Sequence, residues 1–230
     1  MIKVLFICHG NICRSPMAEF YMKDLVSRAG SAEDYEIGSA ATSTEELGNG
    51  IYPPVRALLG REGVPFDERT VRLLRAADYD DFDLLIGMDE FNVRAMRRVF
   101  GPARKEKLHL LLEYAGRPGE AVADPWYTRD FQAAWDDVTA GCRGLFEALS
   151  GTKLIDFTDC AGRRELYAVL RTAMRWEDWY GENLDALWDV LTGLPHEGER
   201  FTVLLPRQGG PVRDYAERIK AVFEEAAERA

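Results

Sequence analysis

The chain has 230 residues, 47% of them hydrophobic and 30% charged, with a formal net charge of −10 and a pI near 4.9. That length allows two domains, and the acidity argues against wholesale binding of nucleic acid or anionic membrane. Four cysteines suit a reducing cytoplasm rather than a disulfide framework; the N-terminal apolar run is too short for a signal peptide, and no stretch approaches membrane-spanning length.

Lys3-Val4-Leu5-Phe6-Ile7 is a β-branched and aromatic run that predicts a buried parallel strand. It leads into Cys8-His9-Gly10-Asn11-Ile12-Cys13-Arg14-Ser15, a Cys-x5-Arg-Ser loop. Ser15-Pro16 then opens a helix with a capping-type residue and a proline at the first helical position. Between strand and helix the backbone must curl with its N–H groups inward, making an anion-binding nest at a helix N-terminus. Gly10 and Asn11 are residue types that accept the left-handed φ such a curl needs.

This setting favours a reactive cysteine. The thiolate is the nucleophile, and converging amides, the positive end of a helix and Arg14 all favour the anionic sulfur of Cys8. Arg14 offers a planar fork for two phosphoryl oxygens. The Ser15 hydroxyl is placed to donate to the sulfur and make it a better leaving group. A buried structural cysteine is the plainer reading of a bare Cys-x5-Arg match, but the strand, helix and Gly-Asn turn around it argue for function.

Three stretches follow: Gly38-Ser39-Ala40-Ala41-Thr42-Ser43, Phe82 to Asp89, and Asp124-Pro125-Trp126. Asp124 closes a polar loop from Gly116, before a helix expected over about Tyr127 to Leu149. Its carboxyl is suited either to capping that helix or to exchanging a proton with a leaving group. Together with the Cys8 loop, these motifs resemble the low-molecular-weight protein tyrosine phosphatases in order and spacing, over roughly residues 1 to 150. The resemblance implies a three-layer α/β/α fold with a four-stranded parallel sheet, its active loop at the carboxyl end of the first strand.

It also implies hydrolysis of protein phosphotyrosine without metal or cofactor. Cys8 would be the nucleophile, Arg14 the phosphoryl ligand and Asp124 the general acid, with Gly10, Asn11, Ile12, Cys13 and Ser15 shaping the phosphate loop. In this family the second loop cysteine, here Cys13, can close a protective disulfide with the nucleophile. Trp126 and Tyr127 would wall an aromatic slot. The family's arginine phosphatases carry threonine where this chain has Ile12, which suits a phenyl ring better than a guanidinium. Its arsenate reductases need additional redox cysteines, and residues 80 to 100 hold none. Glu45-Glu46 stand where eukaryotic members often have an aromatic residue, and Arg69 where many place a histidine that buttresses the loop asparagine.

Ser150-Gly151-Thr152 marks a break before a fresh apolar run at 153–157, which predicts domains over 1–150 and 151–230. The second half reads as a strand, a helix near Arg163 to Arg175, a helix near Leu184 to Leu191, a strand at Phe201 to Leu205 and a helix from about Val212 to Arg229. The stretch from Trp179 to Asp189 resembles barstar, the intracellular inhibitor of barnase-type ribonucleases, and implies a small α/β domain, here without the final strand. By that resemblance Trp179, Asp185, Asp189 and Glu225 would meet a ribonuclease partner. Asp185 and Asp189 lie four apart on one helical face, while Leu184, Leu187, Trp188 and Leu191 read as core. An ordinary solvated face is the plainer reading of those acids. A rival function is therefore a binding protein whose phosphatase is secondary. His9, His109 and His196 are too scattered to suggest a metal site.

Overall fold

The computed structural model describes residues 1–174, 181–193 and 199–229. Trp179 and His196 lie outside them. The chain divides into two compact units, Met1–Leu149 and Ser150–Ala230. No described helix is long and apolar enough to cross a membrane.

In the first unit, β1 (Ile2–Cys8), β2 (Tyr35–Ala41), β3 (Leu84–Gly87) and β4 (Leu108–Leu110) form a parallel sheet in the order β2-β1-β3-β4. Val4, Leu5, Phe6 and Ile7 are all fully buried, as a central strand covered on both faces requires. Leu5, Ile7 and Leu85 share one core with Val93, Met96 and Phe100 of α4 (Glu90–Phe100). Alternation turns Val4, Phe6 and Cys8 to the other face. Two further helices pack on one another, α1 (Arg14–Arg28) and the later α6 (Phe131–Ser150), through the Tyr21 and Trp135 rings and the approach of Cys142 Sγ to Ala18 O at 3.8 Å. Shorter helices are α2 (Pro53–Arg61), α3 (Asp78–Asp81) and α5 (Pro125–Thr128).

Two local expectations are corrected. The single helix expected from Tyr127 is broken: α5 ends at Thr128, Arg129 turns left-handed (φ 60°), and α6 starts afresh at Phe131. Asp130 Oδ1 accepts from Ala133 N at 2.8 Å and so caps the new helix. At the other end of the unit, α1 begins at Arg14, not after Ser15, with Cys13 as its flanking residue. The Ser15 side chain is used elsewhere.

α6 carries two glycines three apart, hence on one face. A Cβ on Gly144 would lie 1.9 Å from Tyr114 O, and one on Gly141 2.5 Å from Leu111 Cγ. The helix therefore rests its backbone directly on the turn that follows β4.

In the second unit, β5 (Lys153–Asp156) and β6 (Phe201–Leu204) pair in parallel, Lys153 against Phe201 through Asp156 against Leu204. Among the described residues this sheet has two strands. Between them run α7 (Arg163–Met174) and α8 (Leu184–Gly193), and α9 (Pro211–Ala227) follows. Ile155, Phe157, Leu166, Leu170, Leu187 and Ile219 are fully buried in one core. Leu184 and Leu191 flank it, whereas Trp188 is only half-buried under the Arg229 guanidinium, 4.7 Å from the ring centre.

Substituting Gly144→Ala should destabilise the first unit by about 1–3 kcal/mol, because the added methyl meets backbone rather than a movable side chain. The midpoint of its urea transition reads this; an unchanged midpoint would mean the helix can lift off at no cost.

Candidate active site

Cys8 ends β1 at 3% exposure, and the chain curls back through Asn11 before α1 begins. Asn11 carries the left-handed conformation (φ 55°); Gly10 does not. A Cβ on Gly10 would come within 3.0 Å of Glu46 Cγ, so a larger residue there would press on that side chain. The curl aims Asn11 N at Cys8 Sγ, 3.2 Å away, and the Ser15 hydroxyl lies 3.0 Å from the same sulfur.

The Asn11 side chain explains why this conformation holds. Its Nδ2 donates to Ser15 Oγ at 2.8 Å and to Ser39 Oγ at 2.7 Å, and its Oδ1 accepts from Arg69 Nη2. Arg69 Nη1 also donates to Ser39 Oγ at 2.7 Å and to Glu19 Oε2 at 3.2 Å, and Ser39 donates to the same Glu19 oxygen at 2.5 Å. Each amide group of Asn11 is thus committed, and the amide cannot rotate without losing bonds. Ser15 Oγ already accepts from Asn11, so its own hydrogen is free to point at the sulfur. Burial lowers the pKa of Arg69, opposed by the charges of Glu19 and Cys8.

Arg14, the first residue of α1, is 4% exposed. Nη1 donates to Asp89 Oδ2 at 2.7 Å, and Nη2 lies 2.6 Å from Asp124 Oδ2. Burial disfavours the cation, but Cys8, Asp124 and Asp89 outweigh it and raise its pKa. Asp89 stands just past β3 and caps α4, accepting from Asn92 N at 2.8 Å. Asp124 caps α5 in the same manner, Oδ1 accepting from Trp126 N at 3.0 Å. Each carboxylate therefore uses one oxygen to fix its own position and the other to hold Arg14.

These groups open into a cavity of 190 Å³ lined by Cys8, Arg14 and Asp124, by His9, Gly10, Ile12 and Cys13 of the loop, by Glu45 and Glu46, and by Trp126 and Tyr127. Trp126 is 51% and Tyr127 82% exposed, so the two rings stand at the mouth. Cys13 is buried, and that burial, followed by the charges of Cys8 and Asp124, pushes its thiol up to about 12. The cavity gathers the expected residues of the first unit except Asn11 and Ser15, which are buried beneath it and bonded to Cys8 Sγ or to each other. Asp185, Asp189 and Glu225 are exposed residues of the second unit, on α8 and α9, and do not line it.

Sequence reasoning assigned no role to Asp89, Ser39 or Glu19. Asp89 had a usable signal, an acid directly after the carboxyl end of a buried strand. Glu19 had none, because a buried carboxylate in mid-helix is recognisable only once Arg69 is seen beside it.

Residues 3–154 match the family model for low molecular weight phosphotyrosine protein phosphatase, and residues 152–230 that for Barstar (barnase inhibitor). The chain is 36% identical over 154 residues to the low molecular weight protein-tyrosine-phosphatase YfkJ of Bacillus subtilis, covering 66% of this chain and 99% of the relative. The crystal structure of YfkJ superposes with a TM-score of 0.63, covering 66% and 96% of the two chains. The low molecular weight protein-tyrosine-phosphatase PtpA of Staphylococcus aureus is 34% identical, over 64% of this chain and 93% of its own. A Drosophila arginine phosphatase shares 30% identity at a TM-score of 0.58, over 64% and 98%. The phosphatase model and these relatives match the unit whose sheet carries the Cys8 loop, and the chain belongs to the low-molecular-weight phosphotyrosine protein phosphatases.

Proposed function

We propose that this chain hydrolyses protein phosphotyrosine through a cysteinyl-phosphate intermediate, using a phosphatase domain over residues 1–150. The observation that carries this reading is the convergence of Cys8 Sγ, the Arg14 fork and Asp124 in one cavity. The incoming phosphoryl group takes the place of the Asp124 carboxylate on Arg14 Nη2, while Asp89 keeps Nη1 and holds the guanidinium in plane. Asp124, displaced from the cation, then stands beside the leaving oxygen.

In the first step the Cys8 thiolate attacks phosphorus, the bond to the tyrosyl oxygen breaks, and the Asp124 carboxyl gives that oxygen its proton. Asn11 N–H and the other loop amides, with Arg14, stabilise the charge spread over the equatorial oxygens. In the second step water attacks phosphorus, Asp124 takes its proton, and the sulfur leaves as a thiolate that the Ser15 hydroxyl stabilises. Inorganic phosphate is released and the starting state restored.

Ile12, Trp126 and Tyr127 around the cavity favour an aromatic ester. A phosphoarginine substrate is the second reading, supported by the likeness to the Drosophila arginine phosphatase. Cys13 serves as the redox partner: once Cys8 is oxidised to a sulfenic acid, the Cys13 sulfur displaces hydroxide, giving a disulfide and water. Four cysteines, two of them in the reactive loop, suit a reducing cytoplasm.

Residues 151–230 form a barstar-like domain that binds a barnase-type ribonuclease. The match to the Barstar model and the exposure of Asp185, Asp189 and Glu225 support this role. Carboxylates on a helix imitate the phosphates of an RNA substrate and pair with the enzyme's cations. Trp179, outside the described residues, would also contact the ribonuclease by the resemblance to barstar.

Cys8→Ser should abolish turnover of p-nitrophenyl phosphate while the protein stays folded by circular dichroism; normal turnover would refute the mechanism. Asp124→Ala should slow turnover by roughly 10²–10⁴-fold for esters of poor leaving groups and far less for good ones, and uniform slowing would contradict its acid role. A phosphotyrosine peptide should outrun a matched phosphoarginine peptide, and the reverse order would select the second reading. Titrating a barnase-type ribonuclease should give stoichiometric inhibition, weakened roughly tenfold or more in Asp189→Ala; no inhibition by folded protein would remove the inhibitor role.

A further inference from the structure

The first unit carries negative charge at its cavity that the proposed chemistry does not use. Asp89 and Asp124 neutralise Arg14 between them, at 2.7 and 2.6 Å. Glu45 and Glu46 line the same cavity on other partners. Glu45 Oε2 is 3.1 Å from His9 Nε2, and its side chain is 71% exposed. Glu46 Oε2 accepts from Asn49 Nδ2 at 2.7 Å, while its stem packs over Gly10.

These carboxylates are not on a wandering loop. β2 lies beside β1, so the segment after β2 emerges next to the phosphate loop and is tied to it by Thr42 N to Cys8 O and Ser43 N to His9 O, both 3.0 Å. Glu45 N donates to Ser43 Oγ at 3.2 Å, and Tyr52 N donates to Ile12 O at 3.0 Å where the segment ends. The two glutamates are therefore held on the β2 side of the mouth. Trp126 and Tyr127 give the same cavity an aromatic lip.

Such a mouth favours a substrate that brings a cation beside its phosphate. We propose that Glu45 and Glu46 form a selectivity subsite for a lysine or arginine next to the phosphotyrosine, an inference that rests on the phosphotyrosine reading above. The phosphoryl group goes to Arg14, the ring passes between Ile12 and the aromatic lip, and the flanking cation replaces His9 on Glu45. His9 Nε2 meets Glu45 at the exposed surface, and a flanking ammonium or guanidinium reaches the same carboxylate from solvent. An acidic flank meets two like charges instead.

The test compares two phosphotyrosine peptides of equal length that differ only in carrying lysine or glutamate on both sides of the phosphotyrosine. For the wild-type chain, kcat/KM should favour the lysine peptide by about tenfold at low salt, shrinking as sodium chloride rises toward about 0.5 M. In the Glu45→Gln/Glu46→Gln variant the ratio should fall to about twofold or less. Equal rates for the two peptides, or a preference that survives both substitutions, would overturn the subsite. If neither peptide is hydrolysed, the phosphotyrosine reading fails and the subsite falls with it, an outcome distinct from equal hydrolysis of both.

Discussion

A guanidinium buried to 4% exposure has to be neutralised where it sits, and much of the first unit is arranged around that requirement. Arg14 cannot leave the loop, because it is also the first residue of α1. Its counter-charges come from two other places in the chain, the end of β3 and the start of α5, and each is fixed by capping the helix that follows it. The three elements meet at the carboxyl edge of the sheet, where open α/β sheets gather their sites. The ion pairs leave Arg14 a satisfied cation in the cavity wall, with Asp124 as the partner a phosphoryl group can replace.

A second constraint concerns the backbone. A non-glycine residue with φ 55° is uncommon. Asn11 is held there by an amide bonded to Ser15, Ser39 and Arg69, with Glu19 closing the network behind them. Burying so many polar atoms is tolerable because each has a partner; a half-satisfied version would cost more than an apolar core. Arg69 suits this place through its flat, multiply donating head, which reaches Asn11, Ser39 and Glu19 at once.

The parts of this arrangement legible in the sequence are those that use local chemistry. The run Lys3 to Ile7, the Cys-x5-Arg-Ser loop and the helix after it are visible as patterns of burial and turn residues. The parts that were not legible depend on distant partners. β4 is three residues long and carries no periodicity of its own. The break at Arg129 needs a left-handed residue that nothing in its identity announces, and Asp130 gains meaning only from Ala133 three residues on. Gly10 and Asn11 both read as residues for a left-handed turn, and Asn11 is the one that carries it. In the second unit, helical spacing identified Leu187 as core but overstated Trp188, whose ring is shared with Arg229 at the surface.

The thiol of Cys13, pushed up to about 12, imposes an order of events on the proposed redox pair. At neutral pH the thiol is held protonated, so it neither competes for phosphate esters nor reacts first with an oxidant. Among the causes of that inertness, after burial, is the negative charge of Cys8. Conversion of Cys8 to a neutral sulfenic acid removes it. Burial, the larger cause, stays in place, so oxidation of Cys8 lifts only the smaller share of the restraint on the second sulfur.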